Sequence, residues 1–409
     1  MSVPSDRPFD SLPASPFARL RALLDTIEPA KAPVSLALGE PQHAPPAFAL
    51  NALRAADADY GRYPPIGGTD DWRAAVEGWL RRRFDLPDDT LAAETQILPL
   101  NGTREGLFLA AQLAPQKQDG LMAMPNPFYQ VYASAALAAG ATPLYLDAPK
   151  QTGFLPDLAA LDKKTLQRLR ALYLCSPANP QGAIADKAYL RRALQLAQAH
   201  DFLLLVDECY SEIYDAGHVA APPSILEVMC EAGLENAPAM VFHSLSKRSN
   251  LAGLRSGFVA GGRDIMAAYH KLRMVAGPQS PFAAQAAAAL AWGDDAHVIE
   301  NRGLYAAKLD VAEAVLAGHF DFYRPPGGFF LWLNVGDSVG DGETAATRLW
   351  QEEGIKVLPG AYLTTPQQDG TNIGAAYIRV ALVAPLDATE DALTRLRDCL
   401  LHAARDGLK

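Results

Sequence analysis

Short apolar runs alternate with helix-like stretches through the middle of the chain, from about residue 50 to residue 290. The runs are bounded by turn residues and are too short for helices: Leu121–Met124, Ala171–Cys175, Phe202–Val206, Met240–Phe242 and Gly257–Ala260. The stretches between them are rich in Ala, Leu and Arg, and Leu190–Ala199 is one predicted crossover helix. This alternation is typical of βα units around a buried, mostly parallel sheet.

The pattern changes after about residue 290. A helical stretch covers Ala306–Leu316, and Gly327–Leu333 and Tyr377–Val383 are strand candidates. A last helix is predicted over Thr389–Ala404, where one face carries apolar residues at helical spacing: Leu393, Leu396, Leu400 and Ala403. This mixture of helices and strands predicts a second, smaller α+β domain.

The beginning of the chain is rich in proline, and we interpret the first 15 residues as an extended arm. Ser15 followed by Pro16 is typical of a helix start, with serine as the cap and proline in the first turn. The predicted helix carries apolar residues at helical spacing: Leu20, Leu23, Leu24 and Ile27. It ends before the segment Pro29–Pro33.

A chain of 409 residues is too long for one ordinary core, so two domains are expected. The predicted division has three parts: the arm and part of the small domain at residues 1–48, the large domain at 49–290, and the C-terminal small domain at 291–409.

Charge and composition exclude several classes of function. The formal net charge of −10 makes the chain a poor binder of nucleic acid or anionic membranes through bulk charge. The four cysteines are far apart, and the histidines form no His-Glu-x-x-His motif, so no zinc, redox or other metal site is predicted. The start of the chain lacks the features of a secretory signal. The apolar stretch Phe282–Trp292 is shorter than the roughly 20 residues of a membrane span, so a cytoplasmic protein is expected.

Polar residues follow several of the predicted strands, where ligands bind in open α/β sheets. Asp207 ends the run from Phe202, and a buried carboxylate is costly unless it has a partner. Asp207 is therefore either a structural cap or ion pair, or the partner of a cationic heterocycle. The loop Ser176–Gly182 follows another strand and is either a simple turn or a part of the same site.

Two further loops have the chemistry of an anion site. Serines and basic residues surround Lys247 in the segment Ser244–Asn250, which is suitable for a phosphate. Lys247 is either a solvated lysine or a nucleophilic amine whose pKa is lowered by desolvation and by cations such as Arg248, Arg255 and a bound pyridinium. Gly102 precedes a helix start, where backbone N–H groups either bind an anion or are simply capped.

Together these features resemble the class I and II aminotransferases, pyridoxal 5′-phosphate (PLP) enzymes of fold type I. The resemblance rests on residues in this order: Gly102-Thr103, Pro127-Phe128-Tyr129, Asn179-Pro180, Asp207–Tyr210, Ser244-x-Ser-Lys247, Arg255 and Arg379. It implies an α/β protein in which a large domain, with a mostly parallel seven-stranded sheet flanked by helices, is joined to a smaller α+β domain. It also implies PLP as the cofactor and a homodimer with shared active sites.

The resemblance further implies a role for each matching residue around the cofactor ring. Lys247 is expected to bind PLP covalently and to carry the proton to and from the substrate Cα. Asp207 is expected to pair with the pyridine nitrogen and keep it protonated. Tyr210 and Asn179 would hydrogen-bond the phenolic oxygen, and Tyr129 would stack on the ring.

The remaining matches imply phosphate and substrate contacts. The residues expected at the phosphate are Gly102, Thr103, Ser244 and Arg255, with the backbone N–H of Arg104 added. Tyr63 resembles the tyrosine that reaches the phosphate of the neighbouring subunit. Arg379 is expected to bind the substrate α-carboxylate with two hydrogen bonds, in a pocket that Gly39 and Asn179 also line.

Within the family, several segments resemble the bacterial N-succinyldiaminopimelate aminotransferases of lysine and diaminopimelate biosynthesis: Leu36–Pro46, Phe242–Gly257, Pro326–Trp332, Leu358–Tyr362 and Tyr377–Ala384. The implied substrates are N-succinyldiaminopimelate with the glutamate/2-oxoglutarate pair. Arg104 and Arg248 are candidates for binding a distal carboxylate, or are solvated surface residues.

Three alternatives stay open at this level. An aspartate or aromatic aminotransferase would have the same catalytic residues, and a PLP-dependent β-lyase would have the same cofactor set. A PLP-fold transcriptional regulator would need an added DNA-binding domain, but only about 33 residues precede the strand candidate at Val34, and the acidic charge also argues against it.

Overall fold

The computed structural model describes residues 12, 14–56, 60–88, 90–367 and 369–406, with side chains described as far as residue 403. The predicted arm over the first 15 residues lies mostly outside this part of the chain.

In the described part of the chain, twelve strands form three sheets. They are β1 (Val34–Ser35), β2 (Ile97–Leu100), β3 (Leu121–Asn126), β4 (Thr142–Asp147), β5 (Leu169–Cys175), β6 (Leu203–Asp207), β7 (Ala239–Ser244), β8 (Gly257–Gly261), β9 (Phe330–Asn334), β10 (Ile355–Lys356), β11 (Leu358–Pro359) and β12 (Tyr377–Ala381). The largest sheet has seven strands in the order β2-β8-β7-β6-β5-β3-β4, and only β8 runs antiparallel to its neighbours. The predicted mostly parallel, seven-stranded sheet is therefore confirmed.

Sixteen α-helices are described: α1 (Pro16–Leu24), α2 (Ala47–Ala55), α3 (Asp70–Phe84), α4 (Ala93–Gln96), α5 (Thr103–Ala110), α6 (Gln130–Ala138), α7 (Lys163–Arg168), α8 (Lys187–His200), α9 (Ile225–Glu231), α10 (Leu245–Arg248), α11 (Arg263–Ala276), α12 (Phe282–Gly293), α13 (Ala296–Leu316), α14 (Gly336–Val339), α15 (Gly342–Glu353) and α16 (Leu386–Asp406). Their ends follow local chemistry. In α8, for example, the Asp186 side chain accepts a hydrogen bond from the Tyr189 N–H, and Asp201 ends the helix in a left-handed conformation.

Both faces of the large sheet are buried. Successive strand residues point to opposite sides, and the residues on each side pack into an apolar cluster. In β5, Leu172 and Leu174 pack into one apolar cluster, and Ala171 and Tyr173 pack into the other. These clusters lie under the flanking helices. The carboxyl ends of the parallel strands are thus left as the accessible edge, which is where polar loops gather.

The smaller sheets pack against α13, α15 and α16. Strands β11, β12 and β9 form an antiparallel sheet, and β1 pairs with β10 in parallel. The cluster beneath them joins Leu36 from the start of the chain to Leu349 and Leu393 from its end. This is an α+β arrangement as predicted, whereas the domain boundaries at 48/49 and 290/291 stay predictions.

The element ends differ from prediction in several places. The first helix ends at Leu24, so Ile27 lies outside it, and the Ser15 side chain makes no capping hydrogen bond. Gly327–Phe329 do not belong to β9: Gly327 forms an isolated antiparallel bridge with Tyr214, and Gly328 bends the chain with a positive φ of 72°. Helix α13 begins at Ala296, ten residues before its predicted start.

No helix in the described ranges is long and apolar enough to cross a membrane. Among the same residues, no group of histidine, cysteine and carboxylate side chains could hold a metal ion.

Candidate active site

A cavity of about 650 Å³ opens where the central strands end. Register brings the strand ends together, because Cys175 of β5 lies beside Asp207 of β6, and Asp207 lies beside Phe242 of β7. The cavity is lined by most of the residues that sequence singled out: Gly39, Thr103, Arg104, Tyr129, Asn179, Asp207, Tyr210, Ser244, Lys247, Arg255 and Arg379.

Lys247 enters the cavity from α10, the short helix that follows β7. The Ser244 side chain caps this helix by accepting the Ser246 N–H. The Nζ of Lys247 donates to the Gly39 carbonyl and lies 5.4 Å from the centre of the Phe329 ring. Lys247 is thereby held among apolar and backbone groups.

The pKa of Lys247 is lowered to about 8, chiefly by burial. The positive charges of Arg379 and Arg255 act in the same direction, and those contributions are opposed by Cys209 and Glu40. About a tenth of the amine is therefore neutral at pH 7, far more than for a lysine with its ordinary pKa, and the neutral form is the one that acts as a nucleophile or a base. Arg248 is not among the groups that shift this pKa, contrary to the sequence expectation.

Asp207 lies at the base of the cavity and is 6% exposed. One carboxylate oxygen accepts a hydrogen bond of 2.8 Å from the Tyr132 hydroxyl, and the other accepts the Cys209 N–H at 3.2 Å. Burial raises the pKa of Asp207, and these hydrogen bonds only partly oppose that effect. The arrangement would hold the anion most stably beside a cationic partner.

A series of hydrogen-bonded polar side chains, Arg379, Asn179 and Tyr210, lies along another wall of the cavity. Arg379 donates to Asn179 Oδ1 at 3.2 Å, and Asn179 Nδ2 donates to the Tyr210 hydroxyl at 3.3 Å. Arg379 also donates to the Ala37 carbonyl at 2.7 Å, while its buried Nε has no hydrogen-bond partner. The guanidinium lies 4.4 Å from the centre of the Phe330 ring, and burial lowers its pKa to about 10. Arg379 is thus oriented at the cavity with donor capacity to spare.

The loops around Gly102 and Arg255 form a compact basic corner. Gly102 has a φ of 83°, and a Cβ at that position would collide with the Arg255 guanidinium, so glycine is required for two reasons. Arg255 itself has a φ of 53°, which is uncommon for a residue with a side chain. Thr103 begins α5, and Ser244 donates to the Ser246 hydroxyl at 2.8 Å. Backbone N–H groups, hydroxyls and a guanidinium at a helix start suit a phosphate.

Tyr129 and Arg104 lie at the mouth of the cavity. Arg104 Nε donates to the Tyr129 hydroxyl at 2.7 Å, and the Tyr129 ring meets Tyr132 edge to face at 5.7 Å. Arg104 is exposed, unlike the buried Arg379. Besides Arg255 of the basic corner, the cavity therefore has one arginine deep inside and another at its entrance.

Two residues of the cavity were not found from sequence. Tyr132 is buried and holds Asp207, and Cys209 contacts Thr103 at 3.1 Å between the sulfur and the hydroxyl oxygen. Tyr132 lies in the first turn of α6, three residues after Tyr129, which precedes the helix, and this proximity in sequence could have indicated it. Cys209 had no comparable signal.

Arg248 and Tyr63 lie outside the cavity. The guanidinium of Arg248 is buried against Trp292 and pairs with Asp295, because α10 directs it away from Lys247. Arg248 as a binder of the distal carboxylate is therefore wrong. Tyr63 is 91% exposed, and its expected contact with a second subunit stays a prediction.

The chain was compared with known proteins. The sequence profile of the family "Aminotransferase class I and II" matches residues 31–396. An LL-diaminopimelate aminotransferase of Syntrophobacter fumaroxidans is 29% identical over 372 residues, 89% of this chain and 90% of the relative. The 4-dedimethylamino-4-oxo-anhydrotetracycline transaminase OxyQ of Streptomyces rimosus is 33% identical, over 89% of this chain and 92% of its own. The crystal structure of an aminotransferase from Neisseria meningitidis superposes with a TM-score of 0.88 at 34% identity, over 95% and 98% of the two chains.

Proposed function

This chain belongs to the class I and II aminotransferases, which use pyridoxal phosphate, and we propose that it transfers the amino group of N-succinyl-LL-2,6-diaminopimelate to 2-oxoglutarate. The observation that carries the proposal is the separation of two arginines in one cavity, the buried Arg379 and the exposed Arg104 at the mouth, in addition to Arg255 of the basic corner. A donor with carboxylates at both ends matches two separated cations.

The residues of the cavity fit the cofactor. Gly102 lets the Arg255 guanidinium lie against the start of α5, where any Cβ would collide with it, and Asp207 supplies a buried anion for a ring nitrogen. We propose that Thr103 and Ser244 complete the phosphate contacts, together with the Arg104 N–H, and that Tyr129 flanks the ring. When bound, the cofactor supplies an aldehyde that joins to amines and a ring that stores electrons.

Each side chain then has a defined task. Lys247, whose lowered pKa makes the neutral amine easier to form, would carry the proton to and from the substrate Cα once the cofactor is bound. Asp207 would keep a proton on the ring nitrogen of a bound cofactor, and Tyr132 fixes the orientation of the Asp207 carboxylate. Arg379 holds the α-carboxylate so that the Cα–H bond points toward Lys247. Asn179 and Tyr210 donate toward the phenolic oxygen, with Asn179 oriented by Arg379.

A second donor has support of its own. The relative in Syntrophobacter fumaroxidans is an LL-diaminopimelate aminotransferase, whose named substrate has a free distal amine. Glu40 also lines the cavity, and its carboxylate could meet such an ammonium group. An acylated donor instead offers a further carboxylate, for which Arg104 is the better partner.

A panel of amino donors tests this choice. We expect N-succinyl-LL-diaminopimelate to be used with a higher kcat/KM than LL-diaminopimelate, aspartate, acetylornithine or aromatic amino acids. Arg104→Gln should raise KM for the succinylated donor about twofold to fivefold, the value of a solvent-exposed ion pair. It should leave the KM for alanine unchanged.

Arg263→Gln is the matched control, because Arg263 is also exposed but pairs with Glu235 away from the cavity. A similar rise for every donor would exclude Arg104 as the group that reads the distal end. Preference for aspartate would overturn the proposed substrate while the family assignment stands.

Arg379 is expected to set the affinity for all donors. Replacing it with methionine should raise KM for every amino and oxo acid by about two to three orders of magnitude, because the substrate α-carboxylate would then be buried without its cationic partner. Cofactor affinity, measured by equilibrium dialysis, should stay within about twofold of the parent, since none of the residues proposed at the phosphate depends on Arg379.

The same variant should change the pH dependence of Lys247. Arg379 helps to lower the pKa of Lys247, so its loss should raise that pKa and move the acid limb of cofactor attachment to higher pH. Arg379→Lys keeps the charge and should keep the pH profile, although it loses the two-bond geometry and much of the affinity. Unchanged kinetics in the methionine variant would refute the assigned role.

We further propose a homodimer in which Tyr63 reaches the phosphate of the partner subunit. The Tyr63 side chain is 91% exposed and lies outside the cavity of its own chain. This supports the proposal, because the ring is accessible to a second subunit. We also propose that the protein is cytoplasmic, and that its large domain spans residues 49–290. Cross-linking and sedimentation of the parent and of Tyr63→Phe examine the assembly and its link to cofactor affinity.

A further inference from the structure

A buried polar cluster lies behind Lys247, on the side away from the cavity. Lys308 Nζ contacts His43 Nε2 at 2.7 Å, and His43 Nδ1 contacts Asn301 Oδ1 at 2.9 Å. Asn301 Nδ2 then donates to the backbone carbonyls of Lys247 and Arg248, at 3.3 and 3.4 Å. None of these three side chains lines the cavity. The cluster thus joins a distant lysine to the backbone of the residue proposed to do the chemistry.

Lys308 is an unusual component of this cluster. It is 2% exposed, and among the described residues no carboxylate forms an ion pair with it. Its partners are the His43 ring and the Leu382 carbonyl, which it reaches at 3.2 Å, and its Nζ lies 5.3 Å from the centre of the Tyr305 ring. Burial lowers its pKa to about 8. A buried amine without an anion is costly, so a packing role alone does not explain the choice of lysine.

The hydrogen-bond directions in the cluster follow from Lys308. An ammonium group only donates, so His43 Nε2 must accept and the ring proton must lie on Nδ1. Burial lowers the pKa of His43, which favours this neutral form. His43 therefore donates to Asn301 Oδ1, and that fixes the amide with its Nδ2 toward the carbonyl of Lys247. Asn250 Nδ2 donates to the same oxygen at 3.1 Å, so two donors orient the amide of Asn301, and Lys308 determines the one that comes from His43.

The same amine also connects two other segments of the cavity. His43 lies four residues after Gly39, and the Gly39 carbonyl accepts the hydrogen bond of the Lys247 side chain. Leu382 follows strand β12, which carries Arg379. Movement at Lys308 would therefore be transmitted to the backbone of Lys247, to its side-chain acceptor and to the strand proposed to hold the α-carboxylate.

We propose that Lys308 is a positioning residue for the transamination reaction, acting through His43 and Asn301 to fix the backbone of Lys247. The inference rests on the proposed role of Lys247. Lys308 itself touches neither substrate nor cofactor.

The test compares Lys308→Met, Asn301→Ala and the double variant as purified holoenzymes. Each single change should lower kcat about tenfold, as expected when a reacting group is slightly displaced, with a smaller change in KM. Each should also move the midpoint of the pH titration of visible absorption from the cofactor bound at Lys247. The double variant should lose no more than the worse single variant, because both changes break one series of contacts.

Arg324→Met is the matched control for stability. Arg324 pairs with Asp310 and Glu313 of α13, the helix that carries Asn301 and Lys308, but it has no contact with Lys247. Its loss should lower the thermal unfolding midpoint and leave the absorption titration in place. Lys308→Arg, which keeps a donor, should recover part of the kcat.

Multiplied losses in the double variant, or an equal titration shift in Arg324→Met, would overturn the proposal. If Lys308→Met does not fold, Lys308→Gln and Asn301→Ala carry the same comparison. Borohydride labelling of each preparation separates the two levels of the argument. Labelling elsewhere than Lys247 would defeat the proposed function, whereas labelling at Lys247 with independent, additive effects would defeat only this inference.

Discussion

Replacing Lys247 by alanine is expected to abolish transamination, with a loss of at least about four orders of magnitude in kcat/KM. A positioned acid–base group alone contributes up to about that factor, and Lys247 also supplies the amine for covalent attachment. The variant should lack the visible absorption of lysine-bound cofactor. It should still bind pyridoxal phosphate, because the basic corner of Gly102 and Arg255 does not depend on the lysine.

The labelling experiment locates the reactive amine directly. Borohydride reduction of the parent holoenzyme, followed by peptide mass analysis, should fix one pyridoxyl group at Lys247 and none in the variant. Lys271→Ala is the control, since Lys271 is an exposed lysine on α11. Small primary amines added to Lys247→Ala should restore part of the activity by replacing the lost base. A label on another lysine would remove the basis of the proposed mechanism.

The pH dependence provides a further check on the same residue. Because burial lowers the Lys247 pKa from its ordinary value of 10.5 to about 8, cofactor attachment to the apoprotein should accelerate as pH rises toward 8 and then level off. A lysine with an ordinary pKa would continue to accelerate for roughly two more pH units. Stopped-flow measurement of cofactor uptake distinguishes the two profiles.

Much of the large domain could be predicted because its sheet is buried on both faces. Strands such as β5 and β6 are then continuous apolar runs that end in polar residues, which is visible in one dimension. Asp207 and Lys247 were found for that reason. Strand β4 was not, since its residues are only half-buried and its apolar signal is weak.

Features that depend on direction or on distant contacts could not be predicted. Arg248 is adjacent to Lys247 in sequence, yet one step along α10 turns its side chain toward Asp295 instead of the cavity. The contacts among His43, Asn301 and Lys308 join residues up to 265 positions apart. Their bonds follow from how α13 packs on the first segment of the chain, and no local pattern reports that packing.

Substrate choice is similarly a matter of three-dimensional placement. The sequence identifies Arg379 and Arg104 as basic, but only the structure separates a buried arginine held by Asn179 from an exposed one held by Tyr129. The two arginines therefore have different roles. A desolvated arginine provides affinity for a carboxylate, whereas a solvated arginine discriminates only weakly between donors. Specificity for the distal end of the donor should therefore be easier to alter than recognition of the α-carboxylate.

Asp207→Asn is expected to lower kcat/KM by about two to three orders of magnitude, because it removes the buried anion that would pair with a protonated ring. Asparagine has nearly the same shape, so packing around Tyr132 should be preserved. Tyr132→Phe is the graded comparison: it removes one hydrogen bond to the carboxylate and should cost only about fivefold to tenfold.

Stability of the apoprotein should change in the opposite direction to activity. The folded-state pKa of Asp207 is raised by burial, so its ionisation disfavours folding at pH values above that raised pKa and has no such effect below the unfolded-state pKa. Apo Asp207→Asn should therefore unfold at a higher temperature than the parent at neutral pH, with the difference vanishing in acid. Scanning calorimetry at the two pH values measures this. A fall in both activity and neutral-pH stability would instead make Asp207 a structural residue. A carboxylate that serves the fold stabilises the apoprotein, whereas a carboxylate that serves a cationic ring destabilises the apoprotein until that ring is bound.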